Sequence, residues 1–193
     1  MIDNISKTVL TKIEDIRGEK DFAIIAIDGR CGSGKTTFAE SLKEALKCPI
    51  IHMDHFFPRL EQRTPERLSE PGGNLDRERF LEEVMAPLKR RNPFSYCPYD
   101  PRVHQMAAPI QINPTNTDVI IVEGSYSCHP ALFDYYDLRI FLTVDEPERL
   151  HRIRERNGED GLTMFQEKWI PMEERYFSAY NIEERCDLRF KTG

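Results

Sequence analysis

Eight consecutive residues, Gly29-Arg30-Cys31-Gly32-Ser33-Gly34-Lys35-Thr36, fit the pattern G-x-x-x-x-G-K-[ST] at every fixed position. Each part of that pattern has a physical task. The glycines let backbone N–H groups turn inward around anionic oxygens without a Cβ in the way. A helix starting near Lys35 adds the positive end of its dipole. Lys35 suits the β- and γ-phosphates of a nucleoside triphosphate, and the Thr36 hydroxyl suits Mg²⁺. Gly29, Arg30, Cys31, Gly32, Ser33, Gly34, Lys35, Thr36 and Thr37 are therefore the candidate cofactor-binding residues, with ATP and Mg²⁺ the expected cofactors.

Two acids follow two short apolar runs. Asp54 comes directly after Pro49–Met53, and Glu123-Gly124 directly after Asp118–Val122. In parallel sheets ligands gather at the carboxyl ends of strands. Asp54 there could take the proton of an attacking hydroxyl, and Glu123 could orient the metal beside Thr36. Arg149, Arg152 and Arg156 share one face of a helix that precedes Asn157-Gly158, a natural hinge. Arginines on a closing lid neutralise developing charge and exclude water. No [NT]-K-x-D segment of the guanine-reading type is present. A small-molecule kinase fits these residues, with a non-enzymatic nucleotide-binding regulator as the other reading.

These side chains need a scaffold. Phe22–Ile27, Pro49–Met53, Asp118–Val122 and Leu138–Val144 are apolar and rich in β-branched residues, the pattern of strands buried on both faces. Asp187–Phe190 is a candidate fifth strand. Helical spacing predicts an N-terminal amphipathic helix ending near Gly18, then Lys35–Leu46, Asp76–Arg90, a helix from Asp145 to about Arg156, and Leu162–Tyr180 bent at Pro171. Trp169, with Leu162, Phe165, Met172 and Tyr176, reads as a core stripe. Residues 58–73 read as a loop, and 92–117, with five prolines, as irregular. The fold class is α/β: a three-layer P-loop fold with a five-stranded parallel sheet, one domain over 1–193, and a small helical lid over about 147–162.

The length of 193 residues suits one domain, and 39% hydrophobic residues suffice for a core. A net charge of −6 disfavours a nucleic-acid partner, which needs an excess of surface Lys and Arg. Five cysteines without a C-x-x-C pair argue for a reducing cytoplasmic setting. No apolar run is long enough for a membrane span, and no signal-peptide core precedes the first strand. Cys128-His129, His52 and His55 lack companions at metal-ligand spacing and read as packing residues. A homo-oligomer is compatible with all of this.

With these residues in view, the chain resembles the uridine kinase-like family of P-loop kinases, relatives of phosphoribulokinase and bacterial pantothenate kinase. The likeness runs from about Phe22 to Phe190 and is anchored on Ile27-Asp28-Gly29 through Thr37 and on Met53-Asp54-His55-Phe56-Phe57. The resemblance implies that Asp54 is the base toward a ribose 5′-hydroxyl. It further implies that Asp76, in Asn74-Leu75-Asp76, holds ribose hydroxyls, and that Tyr99 and His104 contact a base. Arg152 and Arg156 resemble the arginines of the family's lid helix. Pro101, Arg102 and the loop Arg59–Gly73 depart from the family pattern. Uridine is the acceptor the resemblance implies. Nicotinamide riboside, pantothenate and a sugar phosphate are the alternatives.

Overall fold

The computed structural model describes residues 2–193. Five strands, β1 (Ala23–Gly29), β2 (Ile50–His52), β3 (Val119–Glu123), β4 (Leu138–Val144) and β5 (Leu188–Thr192), form one parallel sheet in the order β2-β3-β1-β4-β5. The chain crosses from β1 to β2 on one side and later to β4 on the other. The sheet therefore changes direction at β1, and a crevice opens at the carboxyl ends of the strands.

Alternate residues of the apolar runs feed two separate cores. Ala23, Ile25 and Ile27 join Val119, Ile121, Ile140 and Leu142 on one face, covered by helices α1 (Ile2–Glu19) and α2 (Lys35–Leu46). Val9 and Ile13 of α1 and Leu42 of α2 are wholly buried there, each such side chain contributing roughly 1.5–3 kcal/mol. Ile24, Ala26, Ile120, Val122 and Phe141 face the other core with Phe80, Val84, Tyr176 and Phe177. Helices thus cover both faces, as the doubly buried strands require.

The segment predicted helical over Asp76–Arg90 runs as Arg77–Phe80, a π-helical turn Leu81–Met85, and Ala86–Lys89. The region read as irregular holds two small antiparallel ribbons, Phe94–Tyr96 with Ile110–Ile112 and Tyr99–Asp100 with Gln105–Met106. The loop 58–73 contains a short helix, Pro65–Ser69. Helix α3 (Glu146–Met164) is broken at Gly158, whose φ of 74° and ψ of −179° are non-helical. It continues through a π-helical turn, Phe165–Trp169, into α4 (Ile170–Tyr180). Asp145 precedes α3, but its carboxylate pairs with Lys191 at 2.7 Å instead of capping the helix. Among the described residues no helix is long and apolar enough to cross a membrane.

Candidate active site

The glycine-rich loop leaves β1 at Gly29 and enters α2 at Lys35. Gly29 has φ +138°, and a Cβ there would lie 2.0 Å from the Leu142 carbonyl oxygen, so close strand packing fixes the start of the loop. The Lys35 ammonium donates to the carbonyls of Gly29 at 2.8 Å and Arg30 at 3.0 Å, which curls the side chain over the loop. Beneath the loop, the wholly buried Asp28 accepts from the N–H groups of Gly29 and Cys128 and from the Tyr176 hydroxyl. Burial pushes its carboxyl up to about 6, against the opposing pull of these donors.

Strand register brings the acids together. Glu123 lies opposite Ile27 on one side and His52 on the other. The Thr36 hydroxyl donates to Glu123 Oε1 at 3.0 Å, and His52 Nδ1 lies 2.9 Å from Glu123 Oε2. The hydrogen bond to Glu123 raises the His52 pKa, with burial opposing. Asp54 opens onto the same cavity but is crowded by protein on its other sides. Lost hydration raises its carboxyl above the usual range, repulsion from Glu123 adds to this, and Lys35 opposes it.

The cavity has a volume of about 330 Å³. Its walls include Lys35, Thr36, Thr37, Asp54, Glu123, Arg152 and Arg156, which the sequence had marked separately. Arg152 donates to the Gly32 carbonyl at 3.0 Å and pairs with Glu148, so it is already seated on the loop. Arg156 is exposed at the cavity mouth with its guanidinium over the Phe165 ring. Arg149, the third residue of that helical face, is buried, pairing with Glu173 at 3.1 Å and Glu174 at 2.9 Å. Arg30 points away from the cavity to Glu174 and Glu183. Cys31 is buried against Arg149, and burial pushes its thiol up to about 12, a packed and unreactive state.

Three expected acceptor residues lie elsewhere. Asp76 is buried as the cap of the helix at Arg77, accepting from the Arg79 N–H, and does not line the cavity. Tyr99 and His104 sit in the second ribbon, hydrogen-bonded to each other at 3.3 Å and outside the cavity wall. In their place the wall contains Asn74, Phe57, Tyr126 and two residues of the π-helical turn, Phe165 and Trp169. Trp169 is half-buried at this wall and is not the core residue its helical spacing suggested.

Glu173 also went unmarked by the sequence. It accepts from the Cys31 N–H at 3.0 Å and from Ser125 Oγ at 2.6 Å, tying α4 to the glycine-rich loop and to the end of β3. Its only sequence signal is its place one helical turn after Trp169.

A strand–loop–helix with this glycine pattern, at the switch point of a parallel sheet, defines a P-loop nucleotide-binding protein. The AAA domain family model matches residues 25–169, and the chain belongs to that family. The chain is 25% identical over 163 residues to a cytidylate kinase of Pyrobaculum islandicum, covering 83% of this chain and 76% of that protein. A cytidylate kinase of Pyrobaculum neutrophilum is 23% identical over the same length. The solved structure of a possible uridine kinase from Bacillus stearothermophilus superimposes with a TM-score of 0.74 at 20% identity, covering 98% of this chain and 96% of that one. The fold is that of the P-loop kinases.

Proposed function

We propose that this protein is an ATP-dependent phosphotransferase that moves the γ-phosphoryl group to a hydroxyl of a small molecule, the 5′-hydroxyl of a nucleoside such as uridine. The observation that carries this reading is Asp54, a carboxylate open to the same cavity as Lys35, Thr36, Glu123 and the lid arginines. The residues fit both expected cofactors. Gly29, Gly32 and Gly34 all have positive φ, which curls the loop so that Gly32 and Gly34 line the cavity, and Thr36 with Glu123 offers the hard oxygen pair that Mg²⁺ takes. When bound, Mg²⁺·ATP supplies the phosphoryl group and the metal's charge stabilisation.

The chain's own groups do the rest. Lys35 holds negative charge at the β- and γ-positions, and His52 keeps Glu123 oriented. Asp54, its carboxyl raised by lost hydration and so a stronger base than an ordinary aspartate, accepts the hydroxyl proton when ionised. Arg152 and Arg156 on α3 neutralise charge and exclude water as the helix closes about Gly158.

The named relatives raise a second reading, a nucleoside monophosphate whose phosphate is the acceptor. An anionic acceptor calls for arginines beside it. The arginines of the described cavity wall are Arg152 and Arg156, both on the lid, whereas the floor at Asp54 is a carboxylate. That arrangement favours a neutral alcohol. Measuring ADP release with uridine, cytidine, CMP, nicotinamide riboside and pantothenate tests the proposal. An alcohol should stimulate release well above the acceptor-free rate. Stimulation by CMP alone would establish the second reading, and no stimulation by any of them would favour a non-enzymatic regulator.

A further inference from the structure

Phe165 and Trp169 lie one turn apart on the strap that joins α3 to α4, and both line the active-site cavity. That turn is π-helical, a local distortion that recurs at functional sites because it re-aims side chains out of the regular helical stripe. The next turn places Glu173 on the Cys31 N–H and on Ser125, whose hydroxyl also lies 3.3 Å from the Gly29 carbonyl that holds Lys35. The strap is therefore anchored at the β1 end of the glycine-rich loop, beside the carbonyls of Gly29 and Arg30 that hold the Lys35 ammonium. In the same cavity wall, Asn74 is only 2% exposed and its Oδ1 has no hydrogen-bond partner. A buried carbonyl oxygen left unpaired is costly unless a ligand supplies the donor.

We infer that Trp169, with Phe165, is the stacking wall for a flat heteroaromatic ring carried by the acceptor, and that Asn74 Oδ1 accepts a hydrogen bond from an O–H or N–H of the same molecule. This rests on the phosphotransferase reading above and assigns ring recognition to the lid strap instead of Tyr99 and His104. Carrying the ring-binding face on the strap couples acceptor binding to lid position, because the strap continues the helix that bears Arg152 and Arg156.

The test compares uridine with methyl β-D-ribofuranoside, which keeps the free 5-hydroxyl and lacks the flat ring, in wild type, Trp169→Leu, Trp169→Phe and Asn74→Ala. Trp169→Leu should raise the uridine KM about five- to tenfold, the size expected for losing one aromatic contact, while the ATP KM stays unchanged. Trp169→Phe should restore most of the loss, which a merely structural defect would not allow. Asn74→Ala should raise the uridine KM in the same direction. Trp169 is the only tryptophan of the chain, so uridine should also quench its fluorescence saturably in wild type, a readout independent of turnover. Uridine turnover with an unchanged KM in Trp169→Leu would overturn this inference and leave the kinase reading intact, as would turnover of the methyl ribofuranoside or pantothenate with uridine inert. Failure of every alcohol would remove the kinase reading and this inference with it.

Discussion

The Thr36 hydroxyl donates to Glu123 Oε1 at 3.0 Å, joining the first turn of α2 to the end of β3. These residues are 87 positions apart in sequence, and only the pairing of β3 beside β1 brings them together. Glu123→Gln keeps an oxygen for the Thr36 hydroxyl but removes the charge. It should raise the Mg²⁺ concentration needed for half-maximal turnover about 10- to 100-fold with little change in Tm. A Mg²⁺ titration of ADP release checks this, and an unchanged midpoint would rule out Glu123 as the proposed Mg²⁺ ligand.

Gly29→Ala should fail structurally. Its φ of +138° is strained for alanine, and the added Cβ would meet the Leu142 carbonyl oxygen at 2.0 Å, within the central β1–β4 pairing. The expected loss is about 3 kcal/mol or more in urea unfolding, since backbone of two core strands must separate. A native-like stability would show that the loop start is not held by this contact.

The Asp54 carboxyl is raised in the folded state, chiefly by lost hydration and then by Glu123. A raised carboxyl favours folding while protonated, and that contribution is lost as pH rises through the folded-state value. Asp54 therefore burdens the fold once it is ionised. Asp54→Asn should raise Tm at pH 8, and the gain should shrink toward acid pH, where both side chains are neutral. Thermal melts of the two proteins across pH check the sign. Under the proposed base role, turnover should also fall with acidification at a pH above the ordinary aspartate range, because the carboxylate must be ionised to take the proton.

Much of the scaffold was legible because its physics is local. Continuous β-branched runs such as Phe22–Ile27 suit strands buried on both faces, and α2 begins and ends where the sequence placed it, at Lys35 and Leu46. Asp54, Glu123, Arg152 and Arg156 stood out by their positions at strand ends and on one helix face, and the structure brings all four to one cavity. The ribbons of 94–112 were not, since two- and three-residue strands among prolines carry no periodic signal. Trp169 was misread because a stripe at helical spacing marks any covered face, and a cavity wall covers side chains as a core does. Its π-helical turn then shifted that face. Glu173 had no sign beyond its place one helical turn after Trp169, because its partner Cys31 is 142 positions away.

The most direct test of the account is acceptor-stimulated ADP release by wild type and Asp54→Asn at saturating ATP and Mg²⁺, with uridine as acceptor. If Asp54 is the proposed base, kcat should fall by about 10²-fold or more while the ATP KM stays within about twofold. Equal kcat in the two proteins, with uridine-stimulated release preserved, would contradict it.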